Sequence, residues 1–333
     1  MVQALTRGAL LALVLFSPAR AAEPIKLKLA FPTSDRSALY LHAVKPFVDA
    51  VNNEAEGLIR IEVYFSGALG GRPRPRLLID GVADMAAIVP GECEPRFPDD
   101  TVLKLPGLFD NAREATLTYT RLIEANALSG YQDFYVIGAF SAGPANIHSR
   151  KPLSSLAGLR GMTISATSTI EATVLERLGA ISRVSQIPYA MDAISAGNVD
   201  GAAVPPSAFI AFGIARVTAF HYLLPVSLTP LALIMDRETF DALPEQAKNI
   251  IRKYSGAWMA EGFVAHWQVI ETEELERITS NHQRKVTVPS PLDLESAQAV
   301  FRSVSDEWAA QSPRNSQLLR FVKEQLAEIR SPR

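Results

Sequence analysis

The side chains that most often perform catalysis occur in this chain, but not at the spacings that catalysis requires. The five histidines form no H-E-x-x-H pattern, in which two histidines one helical turn apart would bind zinc. No serine stands in a Gly-x-Ser-x-Gly turn, which would expose it as a nucleophile. The glycines within residues 67–71 (Gly-Ala-Leu-Gly-Gly) are not followed by the Lys-Ser/Thr pair of a phosphate-binding loop. These patterns favour a binding protein without metal or cofactor over an enzyme.

Carboxylates in one loop supply the rival hypothesis. Glu92 and Glu94 stand close to Asp99 and Asp100, and paired carboxylates can serve general acid–base chemistry. Charges in a polar loop usually lie in solvent, so we expect these four to form a solvated face. An exported enzyme with a diffuse acidic site is the alternative from another functional class.

The amino terminus predicts export to the periplasm. Arg7 precedes nine apolar residues (8–16), and Ala19-Arg20-Ala21 offers a small-x-small cleavage site, so residues 1–21 are predicted to be a signal peptide. Nine residues of helix are too short to cross a bilayer, which excludes direct membrane insertion after cleavage. The net charge of −2 gives no reason to expect nucleic acid as a partner. The single cysteine, Cys93, excludes an internal disulfide and a cysteine-rich zinc site.

Hydrophobic periodicity predicts two successive α/β units. Apolar residues alternate along residues 25–31 and 59–65 with a helical pattern between them, and a further strand is predicted near residues 85–89. After a polar link at residues 150–156, a strand at 162–166 leads to Ser168 and Glu171, whose spacing matches a helix capping box. A β-α-β order implies a mostly parallel sheet covered by helices.

The second half of the chain adds strands and then long helices. Strands are predicted at residues 184–187, 202–204 and 229–235. Residues 245–288 lack proline and have helical periodicity, so they predict one long, largely helical segment in which Gly256 and Gly262 allow bends. Two more helices are expected near residues 293–311 and 315–330.

These elements predict an α/β fold of the two-lobe periplasmic binding protein type, with a hinge and a long helix connecting the lobes. Lobe I is assigned to residues 22–146 with 229–262, and lobe II to residues 147–228 with 263–333. The carboxyl ends of the strands would face a shared crevice, which is the usual ligand site of such sheets. Closure about the hinge would bury a small ligand.

Six short motifs, in order along nearly the whole mature chain, resemble the substrate-binding subunits of TRAP (tripartite ATP-independent periplasmic) transporters, the DctP-like family. The motifs are the strand end at residues 31–34, the turn at 65–71 (Phe-Ser-Gly-Ala-Leu-Gly-Gly), residues 79–85 (Ile-Asp-Gly-Val-Ala-Asp-Met), residues 105–109 (Leu-Pro-Gly-Leu-Phe), residues 159–164 (Leu-Arg-Gly-Met-Thr-Ile) and residues 197–201 (Gly-Asn-Val-Asp-Gly). The resemblance implies a receptor that captures a small organic acid between two lobes and delivers it to a membrane permease.

The chain departs from the family pattern where the resemblance places the ligand. Ser165 stands at the position of the family's usual carboxylate-binding arginine. A second common family arginine, which precedes an asparagine, aligns with Ala145 before Asn146, and a common family asparagine aligns with Val204. Arg74 stands where the family commonly has glutamate. Because a guanidinium forms two parallel hydrogen bonds with a carboxylate, we expect Arg74 to supply the missing charge, unless its loop is merely solvated.

Other residues complete the predicted cleft, and each has a structural alternative. Arg76 and Arg183 are reserves for the charge, although exposed arginines are common. The predicted polar groups are Thr33, Ser34, Tyr40, Ser165, Thr167, Ser168 and Tyr189, and the predicted apolar wall is Phe140, Ile170 and Phe209. Ser168 is also a helix cap by its position, and the wall residues are also suited to the core. A less polar cleft suggests an aromatic or branched organic acid; the alternative is a receptor for a neutral or cationic solute.

Overall fold

The strands form one mixed sheet that extends through the whole molecule. The computed structural model describes residues 23–70, 74–93 and 95–331, with the backbone alone at Arg74. The predicted signal peptide lies outside these residues. The strands are β1 (Ile25–Phe31), β2 (Ile59–Phe65), β3 (Met85–Ile88), β4 (Phe134–Ser149), β5 (Thr163–Ala166), β6 (Ile181–Val184), β7 (Gly201–Val204), β8 (Phe220–Asp236) and β9 (Lys285–Thr287).

The sheet has two parallel ends joined by two long antiparallel strands. Its order is β2-β1-β3-β8-β4-β7-β5-β6, with β9 paired to β8. Strand β1 is parallel to β2 and β3, and β5 is parallel to β6 and β7. Strands β4 and β8 pair with each other along most of their length, and the register shifts between Ala142 and Ile147. The two predicted α/β lobes are therefore connected by a pair of continuous strands.

The helices cover both faces of the sheet. They are α1 (Lys45–Glu54), α2 (Arg74–Ile79), α3 (Ala112–Glu124), α4 (Thr169–Arg177), α5 (Ala190–Ser195), α6 (Pro206–Ala211), α7 (Arg237–Ala242), α8 (Glu245–Lys253), α9 (Ala257–Thr279), α10 (Pro291–Ala310) and α11 (Pro313–Arg330). None of the helices in the described part of the chain combines the length and apolar character needed to cross a bilayer.

Local sequence signals explain where several helices begin. The Asn111 side chain accepts a hydrogen bond from the Glu114 N–H at the start of α3. The Ser168 side chain accepts one from the Glu171 N–H at the start of α4. A side-chain acceptor at this position satisfies one of the backbone donors that a helix leaves unpaired. Both caps were predicted from the three-residue spacing.

The predicted helical segment over residues 245–288 is interrupted near Gly256 and is wrong at its end, because α9 ends at Thr279 and strand β9 occupies Lys285–Thr287. The backbone at Gly256 has φ +58°, a left-handed conformation that favours glycine, and it separates α8 from α9. Gly262 lies inside α9, which continues unbroken over 23 residues. The predicted strand at residues 184–187 is wrong in its position, since β6 ends at Val184.

The two carboxyl-terminal helices contact different lobes. Helix α10 packs against α4, whereas α11 packs against α3. The boundaries predicted for the lobes fall inside β4, β8 and α9, elements that run through both halves of the molecule. The Phe263, Trp267 and Ile270 side chains of α9 pack in the same core as β1 and α1.

The predicted solvated acidic loop is wrong for two of its members. Asp99 and Asp100 are buried, the latter with 1% exposure, because β8 and α11 pack against the turn that carries them. Asp99 accepts hydrogen bonds from Ser129 and Arg314. Asp100 accepts two from Tyr119 and Tyr131, and burial raises its pKa to about 7. Both carboxylates therefore have hydrogen-bond partners inside the protein instead of facing solvent.

Candidate ligand site between the lobes

A cavity of about 370 Å³ lies where the loop after β1, helix α6 and helix α9 meet. Glu92, from the lobe I side, accepts a hydrogen bond of 2.9 Å from the Ile187 N–H of the lobe II side across its margin. Most of its wall is apolar, with side chains that include Leu39, Leu41, Val89, Ile187, Ile210, Phe212, Leu231, Trp267 and Ile270. An enclosed, apolar volume with a few polar groups is the usual form of a small-molecule site.

One face of α9 forms a side of this cavity. Trp267, Ile270, Glu274 and Arg277 all line it, and their spacing of three, four and three residues places them on one stripe of the helix. The stripe changes from apolar to charged along the helix. The sequence analysis identified the periodicity of this helix but named none of these four residues as a site residue.

The charged groups of the cavity are of both signs. Arg36 and Arg277 contribute positive charge, whereas Glu92, Glu273 and Glu274 are acidic. Neither guanidinium has a hydrogen bond or ion pair to another residue in the described ranges. Both arginines are exposed at the rim of the cavity.

Two glutamates of α9 are buried in different ways. Glu271 accepts hydrogen bonds from the Trp267 side chain at 2.9 Å and from the Gly143 N–H. Glu274 is 7% exposed, and its Oε2 has no hydrogen-bond partner within the described part of the protein. Burial raises the pKa of each of these carboxyls to about 7.

A second cavity of about 500 Å³ adjoins the first. The two share Pro32, Glu92, Pro188 and Phe212 in their walls. Tyr189 also lines the second cavity and is 59% exposed.

Few of the sequence-predicted site residues line the first cavity. Thr33 and Ser34 do so, and the Thr33 hydroxyl donates to the Ser37 hydroxyl at 2.7 Å. Tyr40 instead packs edge-on against Phe31 and Phe65. The remaining predicted groups are distributed over the second cavity and the buried interior.

The residues at the end of β5 belong to a buried polar network. The Ser165 and Ser185 hydroxyls lie 2.8 Å apart. Lys104 donates to the Thr167 hydroxyl at 2.6 Å, and Thr167 donates to Glu171 through its N–H and its hydroxyl. Lys104 and Glu171 are each 1% exposed and 4.0 Å apart. This network links the turn before α3 to the start of α4, where Ser168 serves as the cap.

The predicted apolar residues lie in the core. Ile170 is buried, and Phe140 stacks on Phe263 with ring centroids 4.7 Å apart. Ala145 is also buried, and Asn146 pairs with Val204 between β4 and β7. Phe209 stacks on His148 at 4.4 Å. The first cavity is lined by none of the six predicted residues, which are Phe140, Ala145, Asn146, Ile170, Val204 and Phe209.

A chain of hydrogen bonds leads from Arg284 through two histidines to the Val204 carbonyl. Arg284 donates to His221 Nε2 at 3.3 Å, and the Nδ1 atoms of His221 and His148 are 2.8 Å apart. His148 Nε2 lies 3.3 Å from the Val204 carbonyl. Because arginine only donates and a carbonyl only accepts, His221 carries its proton on Nδ1 and His148 on Nε2. Burial holds the pKa of His148 at about 3 and that of His221 at about 4.

The predicted arginines are not among the residues that line the first cavity. Arg76 forms an ion pair with Asp80 at 3.1 Å, and Arg183 is exposed on the edge strand β6. The side chain of Arg74 lies outside the described residues, so its role stays a prediction. No group of three or more metal-binding side chains occurs among the residues whose positions are described.

The fold and the cavity define a two-lobe solute receptor. The chain belongs to bacterial extracellular solute-binding protein family 7 (DctP), whose family model matches residues 31–312. This membership confirms the resemblance that the six motifs predicted. It also places the chain in a family of receptors.

Solved structures of TRAP solute-binding proteins have the same fold. One from a marine metagenome, specific for aromatic acids and bound to 3-hydroxybenzoate, has a TM-score of 0.87 and 22% identity, covering 93% of this chain and 100% of its own. One from Rhodoferax ferrireducens with copurified benzoate has a TM-score of 0.81 and 25% identity, covering 91% and 98%. One from Pseudomonas aeruginosa with bound L-malate has a TM-score of 0.78 and 17% identity, covering 86% and 100%.

Proposed function

We propose that this protein captures an organic acid with a compact apolar body, such as an aromatic monocarboxylate, in the cavity between its lobes. The observation that carries the proposal is the mainly apolar volume of about 370 Å³, with two guanidinium groups at its rim that have no partner among the described residues. The apolar wall would bury a ring, and a guanidinium would bind the carboxylate. Structures of similar fold hold benzoate and 3-hydroxybenzoate, which supports this ligand class.

Arg36 is the proposed carboxylate-binding group, with Arg277 as the second cation. Arg36 belongs to the same loop as Thr33 and Ser34, and all three line the cavity. This loop can therefore offer hydroxyl and guanidinium donors together. Its position compensates for Ser165, which stands where related receptors have arginine.

The cellular role follows from family membership. The exported protein would carry the acid through the periplasm to the permease subunits of a TRAP transporter, and it would do so without changing the ligand chemically. The predicted signal at residues 1–21 supports this location. Recovery of chemically unmodified ligand from the purified protein would separate a receptor from the rival enzyme.

A thermal-shift screen of the chain lacking residues 1–21 tests the proposed function. A ligand that binds only the folded state raises the unfolding midpoint by mass action. We expect aromatic monocarboxylates to raise it more than malate, glucose or a simple amine. Mass spectrometry of a denatured extract would identify any acid that copurifies. A midpoint that no organic acid changes, with no acid in the extract, would contradict the proposal.

One observation favours a second candidate, a receptor for a zwitterionic or cationic solute. Among the described residues, Glu273 and Glu274 lie side by side on α9 in the cavity wall. An ammonium group would be attracted to this pair of acidic groups. In the same screen, a larger shift with amines or amino acids than with monocarboxylates would support this candidate.

A further inference from the structure

We propose that Glu274 recognises a hydrogen-bond donor on the ligand, so that this receptor selects hydroxylated organic acids over their unsubstituted parents. The inference rests on the proposed function, because it assigns a second polar contact within the same cavity. The carboxylate of the ligand would bind near Arg36, and a hydroxyl group on its apolar body would bind Glu274.

The position of Glu274 carries the argument. Its side chain lines the cavity on the same stripe of α9 as Trp267 and Ile270. It is 7% exposed, and its Oε2 atom has no partner among the residues that the structure describes. Arg277 lies three residues further along and lowers the pKa of Glu274 electrostatically, but no ion pair joins these two side chains.

Glu271 provides an internal comparison. It lies three residues before Glu274 and is also largely buried, yet the Gly143 N–H and the Trp267 side chain both donate to it. Its contacts fix α9 against β4. Glu274 has no such contacts among the described residues and lies in the wall of the cavity, so α9 carries one structural glutamate and one that is available for recognition.

The chemistry of a buried carboxyl favours a donor as its partner. A carboxyl group accepts a hydrogen bond in both its protonated and its ionised form. A purely apolar ligand would leave Oε2 buried without a partner, which is unfavourable. The charged residue nearest to Glu274 along the wall on the amino-terminal side is Glu273, and besides burial this neighbour raises the pKa of Glu274 electrostatically, so a neutral donor is a better partner for Glu274 than a ligand carboxylate.

The test compares matched pairs of ligands by isothermal titration calorimetry. The probes are benzoate and phenylacetate, each against its 3-hydroxy and 4-hydroxy forms. We expect the better hydroxylated form to bind about 10- to 100-fold more tightly than its parent, the range of one hydrogen bond to a charged group. Glu274→Met keeps the length of the side chain but removes both oxygens, and it should bring this ratio close to one.

Two further variants separate recognition from charge. Glu274→Gln retains an oxygen acceptor and should keep part of the preference. Glu273→Met removes the same charge from an exposed neighbour in the cavity wall and should leave the preference unchanged. Methionine at residue 274 replaces an unpartnered buried carboxyl, so we expect this variant to fold.

Three results would overturn the assignment. Equal binding of parent and hydroxylated acids by the unmodified protein would do so while leaving the receptor function in place. A preference that persists in Glu274→Met would do the same. Failure of every organic acid to bind would instead overturn the proposed function, and the role of Glu274 with it.

Discussion

At the scale of single residues, the arginines that line the cavity do not stand where the family resemblance places a carboxylate-binding arginine. Ser165 stands where an arginine is usual, and it pairs with Ser185. The guanidinium groups at the cavity belong instead to Arg36, in a loop, and to Arg277, on a helix. A charge supplied from these positions approaches the ligand from the rim rather than from the end of a strand.

Removing either rim arginine should weaken the binding of an aromatic acid. We expect Arg36→Ala to lower the affinity about tenfold or more, because a hydrogen bond to a charged group is worth about 1.5–3 kcal/mol. Arg277→Ala should have a smaller effect. The measurement is calorimetric titration of each variant with the acid that the thermal screen identifies.

Arg302→Ala is the matched control, since Arg302 is an exposed arginine on α10 that does not line the cavity. Arg74→Ala belongs in the same series and tests the prediction made from the sequence. If only Arg74→Ala weakens binding, Arg36 is not the carboxylate-binding group.

The protonation of the two buried histidines is a second property at this scale. Their pKa values of about 3 and about 4 are lower than the ordinary value of about 6.5. The unfolded chain therefore binds protons at these sites as the pH falls below about 6.5, whereas the folded chain does not. The contribution of the pair to stability is complete above that pH and decreases as the pH falls towards 4.

Nitrogen NMR of the imidazoles checks this property directly. At about pH 5.5 we expect both rings to be neutral, with the proton of His148 on Nε2 and that of His221 on Nδ1, because both ordinary pKa values are about 6.5 and burial lowers them. His282→Gln removes an exposed histidine and should leave both signals unchanged. An imidazolium at either buried position at that pH would contradict the hydrogen-bond chain.

At the scale of secondary structure, α9 connects the cavity to the long strand β4. Its Trp267 and Glu274 side chains line the cavity, while Glu271 accepts a hydrogen bond from the backbone of Gly143 in β4. A side chain at residue 143 would overlap the Glu271 carboxylate. The helix is therefore held in place at a position where only glycine fits.

Two glycine substitutions should change stability in opposite directions. Gly143→Ala would displace Glu271 from its partners, and an unsatisfied buried group costs about 1–3 kcal/mol. Gly262→Ala should raise the free energy of unfolding by about 0.5–1 kcal/mol, because alanine is favoured in a helix interior and its Cβ would meet no atom within 4 Å. Urea denaturation measures both. Shifts in the same direction would contradict this account of α9.

Most elements could be predicted from the sequence, whereas the cavity could not. Alternation located β1 and β2, and the Asn111 and Ser168 caps followed from local spacing. Local signals failed where contacts are distant: nothing near Asp100 indicates that two tyrosines bury it. The burial of Glu274 likewise depends on how α6 and the loop after β1 meet α9, which no periodicity reveals.

At the scale of the whole molecule, the cavity depends on contacts between the two lobes. Glu92 and Ile187 are joined by a hydrogen bond across the cavity margin, and Lys104 and Glu171 by a buried ion pair. If these contacts between the lobes break, the cavity would open more widely to admit its ligand.

Ligand binding should make the protein more compact. Small-angle X-ray scattering of the ligand-free chain should give a larger radius of gyration than the same chain saturated with the acid, because hinge closure removes the cleft from solvent. Glucose is the matched control for solution conditions and should leave the radius unchanged. An identical radius with and without the bound acid would contradict lobe closure.

The paired strands β4 and β8 also determine how one half of the sheet can move relative to the other. They enter both halves of the sheet without a break, and their register shifts between Ala142 and Ile147. If one half of the sheet moves relative to the other, this two-stranded ribbon must bend, and the span from Ala142 to Ile147 is a place where its pairing is irregular.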